Sequence, residues 1–364
     1  METKLRHPVA PDNNSLYDIL HQHAGESLFV LPAHWADSHS LCLGVEWEKL
    51  PPCNTPRPPE TPGTPAWRGH LNPSSTINRL IAALDQILEP EFLPSTKSLA
   101  AIETVLGVLW HTPFSKPRKS SKLRLYFGSR VYHGAVDAQF MWNLTSKEAA
   151  SSFSTSRSAS AVPSVAIDVS KQSSPNESDF TPSLICYISK SQERRRCKID
   201  PSNSEKDAYF IAAFLAMAQR HFYTTPSIRS RSGSRPPKQQ GIPSDPDFHD
   251  LKLRILTHDV DEKDFIVYTG YITRGFLQKF HEPSKAPTDD EDAVSGLKIE
   301  YTRVPIWPIL GLRERLGKAL GPDVVGAFNP DEMETWEADP EKQNRKRRRS
   351  YASSEGAQQR AAKK

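Results

Sequence analysis

The chain has 364 residues, 37% of them hydrophobic and 31 of them proline, with a mean hydropathy of −0.57. That length supports a sizeable core, and the polar, proline-rich composition predicts a folded body interrupted by segments too polar to order. Its longest apolar run, "YFIAAFLAMA" at 209–218, is about half of what crosses a bilayer, and no apolar stretch near Met1 has the form of a secretion signal, so a membrane is not an expected partner.

The net charge of +4 is unevenly placed. Residues 341–364 hold nine Lys and Arg against Glu341 and Glu355, a net of +7, which leaves −3 on the rest. A nucleic-acid-binding domain normally carries its basic excess on the folded body; here the excess is in the tail. Cys42, Cys53, Cys186 and Cys197 form no CxxC pair and match no common zinc spacing. They predict reduced thiols in a reducing compartment.

Residues 1–50 contain a helix signal, "SLYDILHQHA", and two strand-like runs, "ESLFVLPAHW" and "SLCLGVEWEKL". A proline-rich linker follows over 51–72, where successive prolines remove donors and fix φ. An α/β core is expected over 73–285. Its first helix, "STINRLIAALDQIL", places Ile77, Leu80, Ile81, Leu84, Ile87 and Leu88 at the 3.6-residue period, and its second, "TKSLAAIETVLGVLW", aligns Leu99, Ile102, Leu106 and Leu109.

Next, "KLRLYFG" and "RVYHGAVDAQFMWNL" read as strands joined by a tight "GSR" turn. A serine-rich insert covers 145–180. After the strand at 183–190, Ser204 and Asp207 fit an N-terminal cap for "AYFIAAFLAMAQRHFY", apolar almost all round and so a central buried helix. A second insert covers 224–248. "LKLRILTHD" and "DFIVYTGYIT" form a hairpin, and the amphipathic "RGFLQKFHEP" follows. A C-terminal strand–helix unit occupies 286–330, with Leu312, Leu316 and Leu320 on one stripe and Gly321 as its C-cap. A disordered basic tail covers 331–364. The pattern predicts an α/β fold: a mixed central sheet flanked by helices, with disordered inserts and a basic tail.

Over 97–273 the order helix, strand, strand, insert, strand, buried helix, strand, strand resembles the core of the restriction-endonuclease-like PD-(D/E)XK superfamily. That resemblance implies an Asp on the second strand, an acidic-x-Lys on the third and a Glu on the first helix, which map to Asp137, Lys190 and Glu103. In such a site carboxylates hold Mg²⁺ against the scissile phosphate and the lysine serves the attacking water; Asp137 would be the metal ligand. Where the pattern asks for an acid two residues before Lys190, this chain has Ile188. Residues two apart share a strand face, so a hydrocarbon replaces a ligand and the resemblance implies a degenerate site. The stretch "LKIEYTRVPIW…LGLRERLGKALG" resembles parts of uncharacterised proteins of filamentous fungi, which implies no activity.

The plain reading competes at each position: Asp137 on a solvated strand face beside His133 and Gln139, Lys190 as a strand end in water, Glu103 hydrogen-bonded at a core edge. "HDVDEKD" lacks the Gly and Glu of a calcium loop and reads as a polar turn. His21, His23, His34 and His39 have no partners at zinc-finger spacing.

Arg345, Lys346, Arg347, Arg348 and Arg349 form the densest short signal and read as a nuclear localisation signal for an acidic import receptor. Arg118 and Lys119, with Arg194, Arg195 and Arg196, are candidate phosphate contacts to DNA or RNA. Three functions stay open. They are a non-catalytic nucleic-acid-associated or scaffolding protein of the nucleus on a degenerate nuclease-like fold, a Mg²⁺-dependent nuclease, and a protein-interaction adaptor. Ile188 weighs against the nuclease; apart from Mg²⁺ in that case, no cofactor is expected.

Overall fold

The structure, a computed structural model, describes residues 10–56, 75–89, 96–111, 113–144, 183–189, 202–223, 246–286 and 296–331. Its strands are β1 (Val45–Lys49), β2 (Arg118–Phe127), β3 (Arg130–Leu144), β4 (Ser183–Tyr187), β5 (Leu251–Asp259), β6 (Asp264–Ile272) and β7 (Leu297–Pro305). The helices are α1 (Leu16–Gln22), α2 (Asp37–Cys42), α3 (Ser75–Leu88), α4 (Thr96–Leu109), α5 (Tyr209–Tyr223), α6 (Arg274–His281), α7 (Leu312–Leu320) and α8 (Pro322–Val325).

The strands form one mixed sheet in the order β1-β7-β6-β5-β4-β3-β2. β2, β3 and β4 are an antiparallel meander, β5, β6 and β7 another, and β4 joins β5 in parallel. A parallel step needs a crossover, and α5 provides it. Every residue of α5 from Tyr209 to Gln219 is buried, as expected of a helix apolar on all sides.

Two polar groups of α5 lock it to the meander. The Gln219 side-chain amide donates to the Tyr126 carbonyl (2.7 Å) and accepts from the Tyr126 N–H (2.8 Å), and the Tyr209 hydroxyl accepts from the Asp137 N–H (2.9 Å). Gly270 on β6 makes room for the helix: a Cβ there would lie 2.7 Å from the Phe214 ring.

The opposite face carries a second core. Leu80 and Leu84 of α3, Val105 and Leu106 of α4, and Leu312 and Leu316 of α7 pack on Phe140, Trp142, Ile185, Leu256 and Val304 of the sheet. Buried Arg315 serves the loop before α7, donating to the carbonyls of Pro305, Ile306, Pro308 and Leu310 and to the Thr55 hydroxyl. Arg254 is equally buried beneath the Gly321 turn, where its Nη2 donates to Asp323 (2.7 Å).

The mixed sheet flanked by helices is the fold class expected from the sequence; of the run "SLCLGVEWEKL" only Val45–Lys49 are strand, Ser40 to Cys42 closing α2, and there are four further differences of detail. First, "ESLFVLPAHW" forms no strand: it bends through a 3₁₀ turn at Pro32–His34 with local hydrogen bonds, and its apolar side chains line a cavity instead of a sheet. Second, β2 begins at Arg118 rather than Lys122, because an edge strand can keep its side chains in water while its backbone pairs with β3. Third, α5 starts at Tyr209, where Asp207 rather than Ser204 accepts the first N–H. Fourth, β7 is an interior strand of the same sheet, between β6 and β1, so residues 297–305 extend the sheet rather than a separate unit.

Replacing Gly270 by Ala is expected to destabilise the protein by about 1–3 kcal/mol, as overpacking does. Combining it with Phe214→Leu should cost less than the sum of the two single changes, measured by urea unfolding. Additive costs would contradict the close approach of α5 to β6.

Candidate nucleic-acid interface

Between Glu103 and Asp137 the sequence holds Lys116, Arg118, Lys119, Lys122, Arg124 and Arg130 and no acidic residue. The fold gathers these six cations along one border of the sheet, on β2, the first residue of β3 and the residues before β2. All six are exposed. Lys119 reaches Glu103 on α4 (2.7 Å). Lys116, Arg118, Lys122 and Arg124 have no carboxylate within ion-pair distance among the described residues.

Local geometry explains how so polar a strand stays in register. Leu123, Leu125 and Phe127 are buried under α5 and α6 while the residues between them face outward. The pairing with β3 shifts between Leu123 and Leu125, where β3 bulges around Gly134 at φ +65° and Arg124 lies opposite the bulge. The cations emerge on both sides of the edge: Lys119 meets α4 on one face, and Arg118 lies near enough to Arg220 of α5 on the other to repel it. Burial first, and then Arg118, push the Arg220 guanidinium below its ordinary value. A positive border of this kind raises the local concentration of polyanions.

Of the three residues singled out by the nuclease resemblance, Glu103 and Asp137 lie within the described residues. Glu103 is half-buried and tied to Lys119. Asp137 lies opposite Lys122 in register, three strand positions from Phe140, which pairs with Lys119; that is roughly 10 Å along β3. Ile188 is fully buried in the core around α5, and its N–H extends the parallel pairing by donating to the Leu256 carbonyl (3.0 Å). Gln139 is buried rather than solvated with Asp137 and His133; its side chain accepts from the Ser189 N–H (2.9 Å). Magnesium asks for several oxygens in octahedral array. Among the described residues no three His, Cys, Asp or Glu are placed to hold a metal ion. Lys190, Arg194, Arg195, Arg196 and the 345–349 cluster lie outside the described residues.

A second charged group, absent from the sequence reading, ties the far side of the sheet to the approach to α5. Arg303 on β7 donates to Glu205, to Asp259 (3.2 Å) and to Asp264 (3.4 Å), and Lys49 reaches Glu205 (3.1 Å). Burial pulls the Glu205 carboxyl up, but hydrogen bonds from Arg303 and Lys49 outweigh it and hold the group below its ordinary range. For Asp264 burial wins over Arg303, and the carboxyl sits above its ordinary value. Its cations and carboxylates satisfy one another, which makes the group a clasp rather than a binding surface. No short motif announces it, because its members come from strands and loops far apart in the chain.

No protein-family model matches this chain, and no curated protein matches it.

With its pKa depressed, Glu205 adds stability that is present above its unfolded pKa and lost as pH falls through its folded value. Asp264, raised, works in the opposite sense: its burial costs stability at neutral pH and the cost is relieved on acidification. Replacing Arg303 by Leu leaves Asp259 and Asp264 facing each other, with only Lys49 on Glu205. The loss should be about 3 kcal/mol at neutral pH and shrink near pH 4, where the carboxylates take up protons. Urea midpoints at the two pH values check this, and an equal loss at both would contradict it.

Proposed function

We propose that this chain is a non-catalytic, nucleic-acid-associated protein of the nucleus, on a degenerate nuclease-like fold, whose body meets phosphates through the β2 edge. The observation that carries the reading is the row Lys116, Arg118, Lys122 and Arg124: exposed, on one edge, and without ion-pair partners among the described residues. Charged side chains on an edge strand also prevent edge-to-edge aggregation. That role is met by one or two lysines and does not ask for a border free of acids. The element order α4–β2–β3–β4–α5–β5, with its parallel step across α5, supports the nuclease-like part. The nuclear part rests on the Arg345–Arg349 cluster of the sequence.

The adaptor reading draws support from one number, the net charge of −3 on residues 1–340. Binding of a labelled duplex and a labelled single strand across 50–200 mM salt separates the two. The chain without 341–364 should keep salt-sensitive binding. The triple variant Arg118→Gln, Lys122→Gln, Arg124→Gln should lose it, with the slope of log K against log salt falling by roughly 0.9 for each duplex phosphate contact removed. Complete loss of binding on removing 341–364 alone would confine nucleic-acid contact to the tail and favour the adaptor. Strand cleavage with Mg²⁺ that disappears in Asp137→Ala would make the protein a nuclease and end the non-catalytic reading.

A further inference from the structure

An apolar cavity of about 170 Å³ lies between the N-terminal segment, the β2–β3 hairpin and α6. Its walls include Leu16, Phe29, Trp35, Phe127, Tyr132 and Phe280. We infer that this cavity is a binding site for a small, uncharged aromatic molecule of one or two rings.

The N-terminal wall offers water few partners. A buried water needs two to four hydrogen-bonding partners, and the polar atoms of the N-terminal wall are committed elsewhere. His39 accepts from the Ala36 N–H at Nδ1 (3.0 Å) and donates to the Leu28 carbonyl from Nε2 (3.1 Å). The Trp35 indole N–H donates to the Val30 carbonyl (3.1 Å). The Cys42 thiol, raised by burial and then by Glu26, stays neutral and is a weak partner. The pocket opens to solvent past Phe29 and Leu31, and its volume, close to that of an apolar cavity of about 150 Å³ that takes benzene, suits a single ring, or an indole with slight relaxation.

Ring geometry selects the class. Phe29 stands edge-on to Phe127 (5.2 Å between centroids) and to Tyr132 (6.3 Å), and Phe127 stands edge-on to Phe280 (6.4 Å). A guest ring continues this edge-to-face pattern, which adds to simple burial. A carboxylate carried inward among these apolar walls, or set against the apolar rim of Phe29 and Leu31, is desolvated in part, at a cost that disfavours it. Access needs no strand to break: Phe29 and Leu31 are 53% and 54% exposed and sit in chain that is neither helix nor strand. Leu125 and Phe127 bring the inner face of β2 to the cavity, so an occupant stiffens the strand whose outer face carries the cations.

The test uses the full chain with indole, benzene and benzoate as probes, followed by calorimetry and thermal unfolding. Indole and benzene are expected to bind one molecule per chain, saturably, and to raise Tm with concentration; benzoate should not bind. Leu20→Trp and Leu28→Phe fill the cavity from two sides, and either one that folds should weaken indole by at least roughly tenfold, or about 1.4 kcal/mol. Absence of saturable binding by wild-type protein would overturn the inference. So would benzoate binding as tightly as benzene, or unchanged indole affinity in a folded variant.

Discussion

The run of buried side chains from Tyr209 to Gln219 gives α5 no solvent face, and the rest of the architecture follows from having to cover it. Sheet residues of β2, β3, β5, β6 and β7 lie under one side, and the N-terminal segment with α6 closes much of the other. Because the helix lies between β4 and β5 in sequence and on the sheet in space, those two strands must be parallel neighbours. The β2–β3–β4 meander is thereby pushed outward, and β2 becomes a border strand. The cations of β2 are exposed for that reason, and Leu123, Leu125 and Phe127 are held inward for the same one.

Charge is treated in opposite ways in different parts of the molecule. Around Arg303, carboxylates and cations meet at short range and close a seam of the sheet. Arg315 is desolvated but surrounded by carbonyl oxygens, which supply the acceptors its guanidinium lost on leaving water. Along β2 the cations are left in solvent, and of them only Lys119 meets an acid, Glu103, among the described residues. A surface charge contributes little to stability, so this border costs the fold little and leaves its electrostatic potential free for a polyanion. Screening limits that potential to a distance of about 8–10 Å at physiological salt, which restricts it to direct contact.

Much of the framework was legible in the chain. The stripes of α3 and α4, the "GSR" hairpin turn, the all-apolar α5 and the Gly321 cap each obey a local rule, and each stands where that rule puts it. The failures share a cause: long-range partners overrule local pattern. Residues 26–35 have the apolar content of a strand, but no sheet edge receives them and Pro32 removes a donor, so they wall a cavity. Residues 118–121 have the composition of a loop, but β3 offers a free edge and they pair with it. The candidate site was read through Glu103, Asp137 and Lys190, three residues on separate elements, of which Lys190 lies outside the described residues. The more informative signal was the acid-free stretch between Glu103 and Asp137, whose meaning depends on β2 lying at the border. Arg303 could not have been found this way, since Glu205, Asp259 and Asp264 reach it from separate elements.

Lysine reactivity of the full chain, read by mass spectrometry with and without a bound duplex, tests the border most directly. If β2 meets phosphate, Lys116 and Lys122 become protected when nucleic acid is added, while Lys252 and Lys298, away from that border, react as before. Protection confined to Lys342, Lys346, Lys363 and Lys364 would contradict the account and leave the folded body without a nucleic-acid surface.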